Sequence, residues 1–185
     1  MRTNRPGQSA LLLLDVVAIL QGEDLDYAVI GAFALSVHGM VRASTDADAL
    51  LHVDFARLSQ LQGRFRAEGF GTMLRPKDDE DPVLGMLILT DTHGNQVDLL
   101  GGLKGMDPHV FSRTLEIPFG GQTLQIVGRE DFIAMKCFAG GLQDLLDARS
   151  AYQGARGPID LDLLRAVTRR FGRDAADRLE QVLAG

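Results

Sequence analysis

Tyr27-Ala-Val-Ile-Gly-Ala-Phe-Ala-Leu-Ser-Val-His-Gly-Met-Val-Arg-Ala-Ser-Thr-Asp-Ala-Asp-Ala-Leu-Leu-His-Val-Asp54 reads as a strand, a turn, a short helix and a second strand. The apolar run Tyr27 to Ile30 predicts a short buried strand, and Gly31-Ala32 a turn. Ala32 to His38 predicts a helix closed by Gly39. Ala47 to Val53 predicts the next strand. Asp46 and Asp48 stand at its start, one residue apart. Side chains alternate along a strand, so both carboxylates share a face. Like charges so placed are costly unless a cation lies between them. The pair therefore presents itself as ligands for a divalent metal.

Outward from this stretch the chain alternates between types of element. Ser9 is placed to cap a helix over Ala10 to Gln21, which Gly22 ends. Asp54 is placed to cap a helix running to about Glu68, with Gly69 and Gly71 bracketing its exit. The acidic run Asp78 to Asp81, beyond Pro76, predicts an exposed loop. Val83 to Thr90 and Gln96 to Leu100, joined by Asp91-Thr-His-Gly-Asn95, predict a hairpin. Asp107-Pro108 starts a short helix within Leu103 to Arg113. Thr114 to Phe119 and Gln122 to Val127 predict a second hairpin about Gly120-Gly121. From Arg129 the apolar spacing turns helical over Arg129 to Gly140, Leu142 to Gln153, Asp160 to Phe171 and Arg173 to Leu183. Gly154 to Pro158 interrupts the series. The order predicts an α/β (α+β) fold: a mixed sheet with helices packed on it and a helical C-terminal part. A catalytic unit would span 1–128, with helices 129–185 packed on it.

Composition narrows the class. The chain has 185 residues, 45% hydrophobic and 24% charged, enough to bury a core without disulfides or a structural metal. Cys137 is the lone cysteine, so no disulfide framework exists within the chain; it reads as a buried, inert thiol in a reducing cytoplasm. The longest apolar run, Ala10 to Leu14, is too short for a membrane span. A net charge of −6 argues against non-specific coating of nucleic acid. The charge is uneven. Arginines 149, 156, 165, 169, 170, 173 and 178 face four aspartates, so 149–178 carries +3 and the remainder −9. That segment reads as a solvated helical face, or as a basic flank for a phosphate-bearing ligand.

Asp98, inside the apolar run Gln96-Val-Asp-Leu-Leu100, needs a partner. Val97 and Leu99 point one way, Gln96 and Asp98 the other. Were this strand beside Ala47–Val53, Asp98 would join Asp46 and Asp48. Three such carboxylates can hold two Mg²⁺ ions about 4 Å apart, bridging a nucleoside triphosphate (NTP), and Asp98 would be the general base. The Gly31 turn would present backbone N–H groups to an anion. Ser36, His38, Ser44 and Thr45 can add hydrogen bonds, and Arg42 can reach a phosphate.

Gly31 to Arg42, followed by Thr45-Asp-Ala-Asp48, resembles the motif of the nucleotidyltransferase (DNA polymerase β-like) superfamily, and most nearly its AbiEii-type subset, which includes abortive-infection toxins. Arg129 to Lys136 and Gln143-Asp-Leu-Leu-Asp147 also resemble that subset, where a helix bears a lysine and the next an acidic pair. The resemblance covers about residues 25 to 150. It implies Mg²⁺-dependent transfer of a nucleoside monophosphate from an NTP such as ATP. It implies Asp46, Asp48 and Asp98 as metal ligands and catalytic residues. Gly31, Ala32, Arg42, Ser44, Thr45 and Lys136 would then lie on the nucleotide and phosphate side. The acceptor would be an RNA end, a protein or a small molecule, and an antitoxin protein would be a partner of a toxin. There are two departures. The turn has Ala32 where the family commonly has Gly or Ser, and Ala139 to Asp144 lacks a basic residue. Both favour the alternative, a catalytically weak binder of nucleotide or of a partner protein. A nucleic-acid adaptor using the C-terminal arginines is the third reading.

Several residues have plainer expectations. His38 reads as a packing or hydrogen-bonding residue at a helix end, and His52 as lying on the carboxylate face. His93 and His109 read as loop residues. Asp144 and Asp147, three apart on a helix, would form a polar face, pair with Arg149, or touch ligand.

Overall fold

A computed structural model describes residues 1–76, 82–154 and 157–185. The acidic run Asp78 to Asp81 and Arg156 lie outside the described residues. The chain order is α1 (Ser9–Gly22), β1 (Tyr27–Ile30), α2 (Gly31–Val37), β2 (Asp46–Leu51), α3 (Phe55–Ala67), β3 (Gly71–Arg75), β4 (Met86–Thr90) and β5 (Gln96–Leu100). A 3-10 helix over Pro108–Arg113 follows. Then come β6 (Leu115–Phe119), β7 (Gln122–Ile126), α4 (Arg129–Ala139), α5 (Leu142–Gln153), α6 (Leu161–Arg170) and α7 (Arg173–Ala184).

Among the described residues the strands form one mixed sheet, ordered β3-β4-β5-β2-β1-β7-β6. The β2/β5 and β1/β7 pairs are parallel and the other neighbours antiparallel. This is the mixed α/β architecture that the alternation of elements predicts. Ala47, Ala49, Val97 and Leu99 turn to one face and are buried. Helix α1 packs there against β2 and β5. It is apolar nearly all round, with Leu12, Leu13, Leu14, Val16, Val17 and Leu20 fully buried, as a helix covered on several sides requires. Helix α4 lies over the opposite face. The apolar cluster is continuous from α1 through the central strands to α4, α6 and α7.

Local signals placed several elements well. The Asp54 carboxylate accepts from the Arg57 N–H at 2.8 Å and caps α3. Asp107 accepts from the His109 N–H at the start of the 3-10 helix. Both hairpins form at the expected turns. Three details differ. Ser9 is not a cap: Gln8 holds that position without a side-chain cap bond, and the Ser9 hydroxyl is used elsewhere. The second strand starts at Asp46 and ends at Leu51, so His52 lies beyond it and stacks on Phe111, with ring centroids 5.7 Å apart. Gly71 to Arg75, read only as a helix exit, is an edge strand. Its pattern is weak because Met73 stays 62% exposed.

Candidate active site

The site is built at the β2/β5 pair. Parallel register sets Asp48 opposite Asp98 and Asp46 opposite Gln96, while β1 sets Ile30 against the other side of Asp48. Asp46, Asp48 and Asp98 each offer a carboxylate oxygen, and these atoms all lie within 4.8 Å of one another. An all-oxygen set of this spacing suits a hard divalent cation such as Mg²⁺. Its electrostatics agree. Burial pushes the Asp48 carboxyl up to about 6; Asp46 and Asp98 add to the rise, and Lys136 and Arg42 oppose it. Asp98 is also raised, first by burial and then by Asp46. The Gln96 amide, which donates to its Oδ1 at 2.8 Å, and Arg75 act against that rise. Three carboxylates this close, with ionisation disfavoured at two of them, form a cluster that a cation would relieve.

Each carboxylate has local support. Gly31 opens α2 with φ +65°, and a Cβ there would collide with Asp48 Oδ2. Only glycine allows the turn and the close approach together. The Ser44 hydroxyl donates to Asp46 Oδ1 at 2.5 Å. The Ser9 hydroxyl donates to the Thr45 carbonyl at 2.6 Å and accepts from the Gln96 N–H at 3.1 Å. One buried side chain on α1 thus ties Thr45, the residue before β2, to Gln96, the first residue of β5. Sequence reading gave Ser9 a different task. The signal that finds it is a hydroxyl at the start of an otherwise apolar helix.

Two concavities flank the trio. On the Asp46 side a groove of about 220 Å³ is lined by Ala32, Phe33, Ser36, Arg42 and Ser44, with Gly7, Ser9 and Ala10 closing its far wall. On the Asp48 side a cavity of about 250 Å³ lies between the strands and α4. It is lined by Ile30, Gly31, Leu100, Leu103, Phe132, Met135, Phe138 and Lys136, among others. The first mixes polar and apolar walls, with Ser36, Arg42, Ser44 and Asp46 as its polar groups, and the second is mainly apolar.

The remaining candidates sort by position. Arg42 lines the groove at 39% side-chain exposure and faces Asp147 Oδ2 at 3.6 Å. Thr45 lies at the outer lip with Ser44, and its carbonyl is taken by Ser9. The Ser36 hydroxyl donates to the Phe33 carbonyl at 2.6 Å. Lys136 projects from α4 into the cavity and meets Asp144 Oδ1 at 2.7 Å and Asp147 Oδ2 at 3.2 Å. The acidic pair thus engages Lys136 and Arg42 rather than Arg149. His38 does not join the groove. Its buried ring meets the Val127 carbonyl at 2.9 Å, and burial lowers its pKa, as befits a packed helix-end residue. Cys137 is fully buried, and burial pushes its thiol up to about 12.

Four of the C-terminal arginines have partners within the fold. Arg165 pairs with Glu180, Arg173 with Asp177, and Arg170 donates to the Met106 carbonyl. Arg178 of α7 donates to the carbonyls of Cys137 and Phe138 at 3.2 Å, and its guanidinium fills the space beside Gly140. A cation from another helix thus stands beside Gly140. It sits where a cation suits the carbonyl end of α4.

The mixed sheet with its helices has the fold of solved nucleotidyltransferase structures. The antibiotic-resistance factor ANT(2'')-Ia in solution matches with a TM-score of 0.59 at 12% identity, over 94% of this chain and 96% of that one. ANT(2'')-Ia crystallised with adenylyl-2''-tobramycin matches at 0.57 and 12%, over 87% and 95%. An antigenic nucleotidyltransferase-like protein from Paracoccidioides brasiliensis matches at 0.51 and 13%, over 98% and 90%. No protein-family model matches the chain, and no curated protein does. Among the described residues no helix is long and apolar enough to cross a membrane.

Proposed function

We propose that this chain is a Mg²⁺-dependent nucleotidyltransferase that moves a nucleoside monophosphate from an NTP to a hydroxyl group. The observation that carries the reading is the convergence of Asp46, Asp48 and Asp98 beside the Gly31 turn. Asp46, Asp48 and Asp98 would hold two Mg²⁺ ions, which when bound neutralise the triphosphate and the departing pyrophosphate. The groove lined by Ala32, Arg42 and Ser44, with Thr45 at its lip, receives the β- and γ-phosphates. The apolar cavity under α4 receives the nucleoside, with Lys136 at its mouth. Asp98 stands one strand away from Asp48 and is half-buried, with a raised pKa. The acceptor oxygen bonds to the α-phosphorus as the bond to the pyrophosphate oxygen breaks, and the hydroxyl proton passes to Asp98.

The likeness to ANT(2'')-Ia favours a small-molecule acceptor, since that protein is seen with an adenylylated antibiotic. The likeness of Gly31 to Asp48 to the AbiEii-type subset supports a second reading of the same chemistry. In it the chain is a cytoplasmic toxin acting on RNA or protein and restrained by an antitoxin. One assay separates them. The protein is incubated with Mg²⁺ and each α-labelled NTP, with total RNA, with lysate protein and with a small-molecule extract, beside Asp46→Ala/Asp48→Ala. Label entering the small-molecule fraction, absent from the control, supports the first reading. Label in RNA or protein supports the second. NTP binding without transfer to any fraction overturns both in favour of a binding-only protein.

A further inference from the structure

We propose that Asp147 is a positioning residue: its buried carboxylate holds Arg42 and Lys136 so that both cations converge on the β- and γ-phosphates of an NTP. The proposal rests on the nucleotidyltransferase reading. Asp147 sits on α5 with its side chain 2% exposed. Its Oδ1 accepts from the Gln143 amide at 2.8 Å. Its Oδ2 lies 3.2 Å from Lys136 Nζ and 3.6 Å from Arg42 Nη2, yet is buried without a hydrogen bond. A buried carboxylate oxygen is ordinarily hydrogen-bonded, so this one departs from the usual pattern and asks for a reason.

The two cations come from separate parts of the chain. Arg42 lies in the loop between α2 and β2 and lines the groove on the Asp46 side. Lys136 lies on α4 and lines the cavity on the Asp48 side. One carboxylate therefore ties together a cation from each flank of the β2 aspartates. Without an anion between them, two cations brought this close would repel and swing apart. With Asp147 in place, the charges attract at a distance that leaves hydrogen-bonding capacity for an incoming ligand. Lys136 gives Asp144 a hydrogen bond at 2.7 Å and has further N–H donors. Arg42, among the described residues, makes no hydrogen bond and faces only Asp147 as an ionic partner. Long cationic side chains lose much rotamer freedom when they grip a phosphate, and ordering them beforehand reduces that loss.

The test compares triphosphate with monophosphate. Binding of ATP and of AMP, each with Mg²⁺, is measured by titration calorimetry for the wild type, Asp147→Asn, Arg42→Gln and the double variant. Asp147→Asn weakens ATP about tenfold and AMP by less than about twofold. A merely structural role would weaken both alike, and that result overturns the proposal. In the double variant the Asp147→Asn loss shrinks, because Arg42 is one of the groups through which it acts; fully additive losses overturn it. Should Asp147→Asn fail to fold, Gln143→Ala is read in its place. This exposed change frees the Asp147 carboxylate, weakens ATP about threefold and spares AMP; unchanged ATP binding overturns the proposal. A wild type that binds none of the four NTPs removes the nucleotidyltransferase reading itself. A wild type that binds ATP, with variants that bind it equally, removes only the role of Asp147.

Discussion

Asp48 joins chemistry and stability in one side chain. Its carboxyl ionises at about 6 in the fold against an ordinary 3.8, and burial is the main cause. Between those values the folded chain holds the proton more tightly than the unfolded one, so this group's contribution to stability rises as pH falls from 7 towards 4. At pH 7 the ionised form costs about 3 kcal/mol at about 1.4 kcal/mol per pH unit. Asp48→Asn therefore raises the melting temperature of the metal-free protein at pH 7. The advantage fades below pH 6 and vanishes near pH 4. His38 has the opposite sign: burial lowers its pKa, so protonation below about 6.5 costs stability. Comparing variant with wild type at each pH cancels that effect. On the proposed function the same substitution should lower nucleotidyl transfer at least about a hundredfold, since it would remove one of three metal ligands. A variant that is no more stable at pH 7 than the wild type would contradict the electrostatic account. Gly31→Ala probes the same carboxylate from the backbone side. With φ +65° and Asp48 Oδ2 in the path of the new Cβ, it costs about 1–3 kcal/mol in denaturant titration. It also displaces Asp48, so transfer falls by at least about tenfold. Activity that survives would show that Asp48 need not approach this turn so closely.

The element that orders the site from behind is α1. Ser9 fixes the entry of β2 through the Thr45 carbonyl and that of β5 through the Gln96 N–H. Its removal leaves a part-buried donor, the Gln96 N–H, and a part-buried acceptor, the Thr45 carbonyl, without this partner. Ser9→Ala should cost about 1–3 kcal/mol in urea or guanidinium unfolding. Transfer should fall several-fold through loss of alignment between Asp46 and Asp98. If the hydroxyl served only as a helix cap, stability alone would fall and the kinetics would hold. At this scale the sequence was legible wherever a signal is local. The Asp54 cap, the Gly120-Gly121 turn, the Asp107-Pro108 start and the helix period after Arg129 all lie within a few residues of what they specify. Strand β3 was not legible, because its edge position comes from pairing with β4 rather than from its own pattern. The use of Ser9 was hidden for a similar reason, since its partners lie 36 and 87 residues away.

At the scale of the whole molecule the helices after residue 128 share the core of the sheet. Phe132, Ile133, Leu164, Leu179 and Val182 belong to the same apolar cluster as α1 and the central strands. A fragment ending at residue 128 exposes the surfaces these residues cover. Losing even one such large side chain costs about 2–5 kcal/mol, against a total stability of about 5–15. The fragment should therefore show no cooperative thermal transition by circular dichroism. A cooperative melt would make 1–128 an independent unit. The fragment also lacks Lys136 and Asp144, which line the cavity beside Asp48, and Asp147, which faces Lys136.

The sequence by itself determined what repeats over short distances. The period of two placed Asp46 with Asp48 and Asp98 with Gln96, and Gly31 marked a turn that other residues do not tolerate. Tertiary structure alone decided how those pieces meet. Asp48 faces Asp98 because burial of Ala47, Ala49, Val97 and Leu99 under α1 fixes the register of two strands fifty residues apart. Arg42, Lys136 and Asp147 meet because α4 and α5 pack over the carboxylate face, and Arg178 reaches the end of α4 from α7. Alternation and turn preference act through neighbouring bonds and can be read along the chain. Register and helix docking arise from the burial of surfaces distant in sequence, and no local pattern encodes them.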